Sequence, residues 1–155
     1  MRTVELLLDP ELEHDVREVW GRLRAAGLPS LAGHPHPTNR PHLTVVTAAS
    51  IDGLPPLPLP VPIELGVVRF LGRALIWAVT PTAALRDIHA TAWSALRNPW
   101  PSPADWMPHV SLALKVPPGH RPALLEALTG LAPAAGRCES ARSYDSLTRT
   151  VVDLQ

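Results

Sequence analysis

The sequence predicts an α+β fold made of two similar β-α-β halves that share a cleft, and three observations lead there. Pro41-His42-Leu43-Thr44-Val45 is nearly repeated as Pro108-His109-Val110-Ser111-Leu112. Each copy follows the same succession: an apolar strand (residues 4–8 and 74–79), a proline at a helix start (Asp9-Pro10 and Thr80-Pro81), a helical pattern and a loop. Within each copy polar and apolar residues alternate as on a half-buried strand, where side chains at i and i+2 share a face. His42 and Thr44 therefore look one way while Leu43 and Val45 face the core, and His109 and Ser111 do the same against Val110 and Leu112. Repetition at such a period indicates one structural unit used twice. Each unit would deliver one imidazole and one hydroxyl.

The elements follow in order. Val4, Leu6 and Leu8 alternate along a first strand. Asp9 caps a helix whose first position is Pro10, where the missing N–H costs nothing. Leu12, Val16, Val19, Trp20 and Leu23 form its apolar stripe, and Gly27 stops it. Residues 28–41 form a loop into the first motif. The proline-dense run 55–62 favours an extended conformation and reads as a stiff connection between the halves rather than a ligand for a proline-binding module. Residues 63–71 and 74–79 form a hairpin around Gly72-Arg73. Thr80 is expected to cap the second helix with Pro81 at its first position, and Leu85, Ile88, His89, Ala92, Trp93 and Leu96 to face inward. A Pro/Trp-rich loop (98–108) leads into the second motif. A third helix is expected over 122–131, then strands over 138–144 and 147–154, the last paired into the sheet.

The chain of 155 residues, 46% of them apolar, fits a single two-lobed domain over 1–155. Fourteen basic residues balance fourteen acidic ones, so no long-range attraction to polyanions is expected, and any nucleic-acid contact is local or the substrate small. Lys115 is the only lysine; arginine supplies the remaining positive charge, and its planar fork suits phosphate. Cys138 stands alone, which excludes an intrachain disulfide and predicts a buried, inert thiol. Glu5 and Asp9 interrupt any signal-like core, and no apolar run reaches a membrane span. A cytoplasmic protein with no membrane contact and no obligate protein partner is expected.

Displacement at a phosphodiester requires a proton taken from the attacking oxygen and one given to the leaving oxygen. Two imidazoles, with ordinary pKa near 6.5, can hold one base and one acid at neutral pH. Thr44 and Ser111 can donate hydrogen bonds to non-bridging phosphoryl oxygens, where charge must be held in the transition state. Arg40, two residues before His42, is a candidate phosphate contact, and Trp106 a candidate for stacking on a nucleobase. His34-Pro35-His36 places two imidazoles close together, but no cysteine or carboxylate nearby completes a site. No metal or other cofactor is expected.

At these residues the chain resembles the two-histidine phosphoesterase superfamily, most closely its bacterial 2′-5′ RNA ligase-like and cyclic phosphodiesterase members. His42 and Thr44 in Arg40-Pro41-His42-Leu43-Thr44-Val45, and His109 and Ser111 in Pro108-His109-Val110-Ser111-Leu112-Ala113-Leu114, carry the resemblance. It implies a bilobal fold with two antiparallel-rich sheets flanking a cleft. It also implies metal-independent hydrolysis of 2′,3′-cyclic phosphates at RNA ends or in small cyclic nucleotides, an activity of RNA processing. Ser111 stands where threonine is commoner and keeps the hydroxyl. Ala113-Leu114-Lys115 follows where ligase-type relatives often place an arginine, which favours phosphodiester hydrolysis over ligation. The alternative is a binding module of the same fold that holds RNA ends or a phosphorylated ligand without turnover.

Overall fold

The computed structural model describes residues 1–155. Seven strands and three α-helices follow one another as β1 (Arg2–Leu8), α1 (Pro10–Ala25), β2 (His42–Ala48), β3 (Val61–Leu71), β4 (Ala74–Val79), α2 (Ala83–Ala95), β5 (His109–Ala113), α3 (Arg121–Ala127), β6 (Ala134–Asp145) and β7 (Thr150–Asp153). All strand pairings are antiparallel, in the order β1-β2-β5-β4-β3-β6-β7, and β6 also returns to β1.

This order resolves into two three-stranded sets, β2-β1-β6 and β5-β4-β3, joined at two places, with β7 added on the outer edge of β6. One join is the register pair Leu43↔Val110 between β2 and β5. The other is β6, which pairs with β3 through residues 134–138 and with β1 through 138–145. Cys138 sits at the changeover, opposite both Leu8 and Val61. The expected α+β architecture with antiparallel sheets is therefore present, and the two sheets run into each other through these joins. In each set the middle strand leads through a helix to an outer strand, β1-α1-β2 and β4-α2-β5. Each helix carries the chain back, and the loops after α1 and α2 return it once more, so β2 starts beside the end of β1, with Leu7 opposite His42. β5 likewise starts with His109 opposite Ala78.

The helices cover one face. Leu12, Val16, Val19, Trp20 and Leu23 of α1, and Leu85, Ile88 and Ala92 of α2, share a core with Leu43, Val45, Val110 and Leu112. Each buried leucine contributes roughly 1.5–3 kcal/mol, so this face fixes which way β2 and β5 turn. Asp9 caps α1 by accepting from the Leu12 amide at 2.9 Å and from the Arg137 amide of β6 at 2.6 Å. Burial pushes its carboxyl up, but these amide bonds outweigh that and hold it below its ordinary value. Gly136 makes this approach possible, because a Cβ there would collide with the Asp9 carboxylate. Gly27, at φ 73°, ends α1 as its position predicts.

Several boundaries differ from expectation. Thr82, not Thr80, caps α2, accepting from the Leu85 amide at 3.2 Å. Thr80 instead donates its amide to the Glu64 carbonyl at 2.9 Å and extends the hairpin, which leaves Pro81 outside the helix. The third helix ends at Ala127, short of Leu131, and its Leu125 is exposed. β6 begins at Ala134 rather than Cys138 because it must reach β3 before β1, and β7 starts only at Thr150, after a turn in which Arg149 takes φ 56°. The proline run connects β2 to β3 as expected, although Pro62 already pairs with Arg137 in β3. β4 joins β3 only from Leu65 onward, so at Pro62 the absent N–H falls on an unpaired edge. The thiol of Cys138 is buried beside Asp9, its pKa pushed up to about 12 by burial.

Candidate active site

Because Leu43, Val45, Val110 and Leu112 enter the core, His42, Thr44, His109 and Ser111 emerge on the opposite face, each half-buried. An antiparallel pair centred on Leu43 and Val110 sets position 42 opposite 111 and position 44 opposite 109. The four motif side chains therefore form one patch across the join. Two apolar residues, Leu7 beside His42 and Ile76 beside Ser111, are buried yet stand outside the main core. They floor the cleft.

Both imidazoles are held in the same way. His42 Nδ1 lies 2.7 Å from the Arg40 carbonyl, and His109 Nδ1 lies 2.7 Å from the Met107 carbonyl. A carbonyl only accepts, so Nδ1 carries the proton in each ring, and the lone pair of the neutral ring is on Nε2. The hydroxyl residues are held in parallel fashion through their backbones. The Trp106 indole donates to the Thr44 carbonyl at 3.1 Å, and the Trp20 indole donates to the Ser111 carbonyl at 3.0 Å. Each bond contributes about 1 kcal/mol, and together they secure β2 and β5 where the two strands diverge. Trp106 also stacks on His89, with ring centroids 4.6 Å apart, and His89 bonds the Pro101 carbonyl at 3.0 Å.

The surroundings of the two histidines differ. His42 Nε2 is 3.6 Å from the buried Glu5 Oε2, an ion pair whenever the ring is protonated. Glu5 also accepts from Thr3 Oγ1 and from Arg142 Nε, each at 2.8 Å, and Arg142 donates on to the Thr38 carbonyl at 3.0 Å. His109 has no carboxylate partner. Burial lowers its pKa; the Met107 carbonyl partly opposes this, and the positive fields of His42 and Arg69 lower it further. A hollow of about 450 Å³ on the His42 side is lined by Glu5, His36, His42, Arg142, Tyr144 and Arg149. One of about 500 Å³ on the other side is lined by Val67, Arg69, Ala78, Trp106 and Met107.

Of the residues singled out in the sequence, His42, Thr44, His109 and Ser111 converge. Arg40 reaches the site through its carbonyl, and its guanidinium is engaged by Glu13 of α1. Trp106 borders the second hollow with its indole N–H already bonded. His34 and His36 border the first hollow, but no group of three or more His, Cys, Asp or Glu side chains is placed to hold a metal ion. Sequence reasoning missed Glu5, Arg142, Arg69 and the second role of Trp20. Glu5 carried a signal: it is the one polar residue in the run from Val4 to Leu8, and it shares a face with Leu7 and not with Val4 and Leu6.

No protein-family profile matches the chain, and no curated protein matches it by sequence. Solved structures do match. A phosphoesterase structure superimposes with a TM-score of 0.54 and 16% identity over 98% of this chain and 92% of that one. E. coli LigT complexed with 3′-AMP superimposes with a TM-score of 0.53 and 18% identity over 99% and 94%. The likeness to these two structures is one of fold, and it runs end to end along this chain. No helix is long and apolar enough to cross a membrane.

Proposed function

We propose that the chain is a phosphodiesterase that opens 2′,3′-cyclic phosphates, at RNA ends or in small cyclic nucleotides, with His42 and His109 as its acid–base pair. The observation that carries this reading is the matched setting of the two rings: both Nδ1 atoms are anchored on carbonyls two residues upstream, so both Nε2 atoms are free for proton transfer on one face. The shared fold with a phosphoesterase and with LigT, the latter holding 3′-AMP, supports the substrate class.

His109 suits the base. Its lowered pKa keeps Nε2 unprotonated at neutral pH, able to take a proton from the attacking water. His42 suits the acid. The Glu5 carboxylate balances the charge of its protonated ring, while the 3.6 Å separation is too long for a hydrogen bond and leaves the Nε2 proton available to the leaving ribose oxygen. Water adds to phosphorus as the ester bond to that oxygen breaks, yielding a ribose hydroxyl and a phosphomonoester. Thr44 and Ser111 donate to the non-bridging oxygens. No step requires a metal ion or other cofactor.

The test is hydrolysis of nucleoside 2′,3′-cyclic monophosphates and of a short RNA ending in a cyclic phosphate, in excess chelator. Turnover that disappears in both His42→Ala and His109→Ala is the expected result. Turnover surviving both substitutions, or requiring added metal, would refute the proposal.

A further inference from the structure

Antiparallel partners place their side chains on the same face of a sheet, so the register extends the patch sideways in each half. From Thr44 the row runs through Glu5 to Arg142. From Ser111 it runs through Ile76 to Arg69. Both rows are a motif hydroxyl, a middle-strand residue and an arginine, and they differ at the centre. In the first row Glu5 takes Arg142 into a buried ion pair at 2.8 Å, and the Thr38 carbonyl takes a further donor. In the second row Ile76 offers no charge. Arg69 is exposed, has no carboxylate within ion-pairing distance, and stands at the edge of the hollow lined by Val67, Ala78 and Met107.

Resting on the phosphoesterase reading above, we infer that Arg69 is the side chain that grips the anionic oxygens of the substrate's phosphate beside His109 and Ser111. Adjacent strands are spaced about 4.8 Å apart, so the Ser111 and Arg69 backbones lie about 10 Å apart across the sheet. A phosphate over Ile76 and an arginine reaching inward fill that span together. The fork can take two phosphate oxygens at once above the apolar Ile76; Glu64 lines the far part of the same hollow but forms no ion pair with Arg69. Arg142 is not available in the same way, because its guanidinium is buried and already donates to Glu5 and to the Thr38 carbonyl. The phosphate is thereby drawn towards the His109 half, and the nucleoside it carries is left beside the hollow lined by Trp106 and Met107. The field that Arg69 already exerts on His109 agrees with this closeness.

The test reads binding separately from turnover. Inorganic phosphate is titrated into histidine-labelled full-length protein and followed by NMR at His109, in wild type, Arg69→Ala, Arg69→Lys and Arg73→Ala; Arg73 is an exposed arginine at the nearby hairpin turn. Loss of one charge-assisted contact predicts about 10- to 100-fold weaker phosphate binding in Arg69→Ala, partial recovery in Arg69→Lys and no change in Arg73→Ala. Without phosphate, the His109 titration midpoint should move upward in Arg69→Ala. With cyclic substrate, KM should rise more than kcat falls, since the phosphate is anionic before and during reaction. Phosphate binding unaltered in Arg69→Ala, or a wild type whose His109 signal does not respond to phosphate, would overturn the inference. A chain that binds phosphate through Arg69 but opens no cyclic phosphate would leave it standing and remove the hydrolytic reading.

Discussion

In the half around His42 the middle strand sets Glu5 beside Thr44 and holds Arg142 in a buried ion pair; in the half around His109 the corresponding position is Ile76, and Arg69 is left without a carboxylate. The backbone plan, the carbonyl anchors on the imidazoles and the indole bonds to the hydroxyl residues are otherwise the same on both sides. Two similarly built halves supply two similarly held imidazoles, whereas the proposed displacement needs two unequal ones. One middle-strand residue introduces the inequality, giving one ring a carboxylate and the other an unpaired cation.

The comparison can be broken or sharpened by substitution, the largest effect first. His42→Ala and His109→Ala should each lower kcat/KM by about 10²- to 10⁴-fold, measured on a cyclic mononucleotide; comparable losses would show that both halves work in one step. Glu5→Gln should leave Arg142 buried without its counter-charge and cost about 3–5 kcal/mol of stability in urea unfolding, whereas the isosteric Ile76→Leu in the opposite half should cost less than about 1.5 kcal/mol. Trp20→Phe and Trp106→Phe each remove one indole–carbonyl bond and should each cost about 1 kcal/mol. If the two halves are secured alike, the two losses should be similar.

The smallest effect is in pH. His109 and the buried His89 both have pKa values lowered by burial, so the unfolded chain binds more protons than the native one once the pH falls below about 6.5. Their contribution to stability is therefore present above the unfolded pKa and lost as the pH falls through the lowered native values. The acid limb of the kcat/KM profile should lie below 6.5, because His109 retains its free Nε2 there, and Arg69→Ala should move that limb upward. Rate profiles and urea midpoints taken over the same pH series check both.

Much of this was legible in the letters. Two His-x-hydroxyl strands, each preceded by a strand and a helix, predicted the paired halves and the common face, because period-two alternation states which side chains turn away from the core. The asymmetry was not legible. Glu5, Ile76, Arg69 and Arg142 lie far from the motifs in sequence and become neighbours only through strand register, which depends on pairing across the sheet. Arg40 shows the converse: its proximity in sequence to His42 marked it as a phosphate contact, but which partner its side chain reaches, here Glu13 on α1, depends on how a loop folds back against a helix. Thr80 reads as a cap because a threonine before a proline is a helix-start pattern, whereas in the fold its amide goes to the Glu64 carbonyl and continues the hairpin.

The single rung between Leu43 and Val110 has a consequence for inheritance. It spaces the two imidazoles by backbone alone, and the side chains at that rung need only be apolar, so nearly every other letter of β2 and β5 is open to replacement. What a descendant must keep is parity. An even displacement of one strand past the other retains both working residues on the open face, whereas a shift of one position turns an imidazole and a hydroxyl into the core together. A rule of this kind fixes which side chains reach the cleft with very few letters, and it asks little of the rest of the wording; this chain overlays solved structures from end to end at only 16–18% identity.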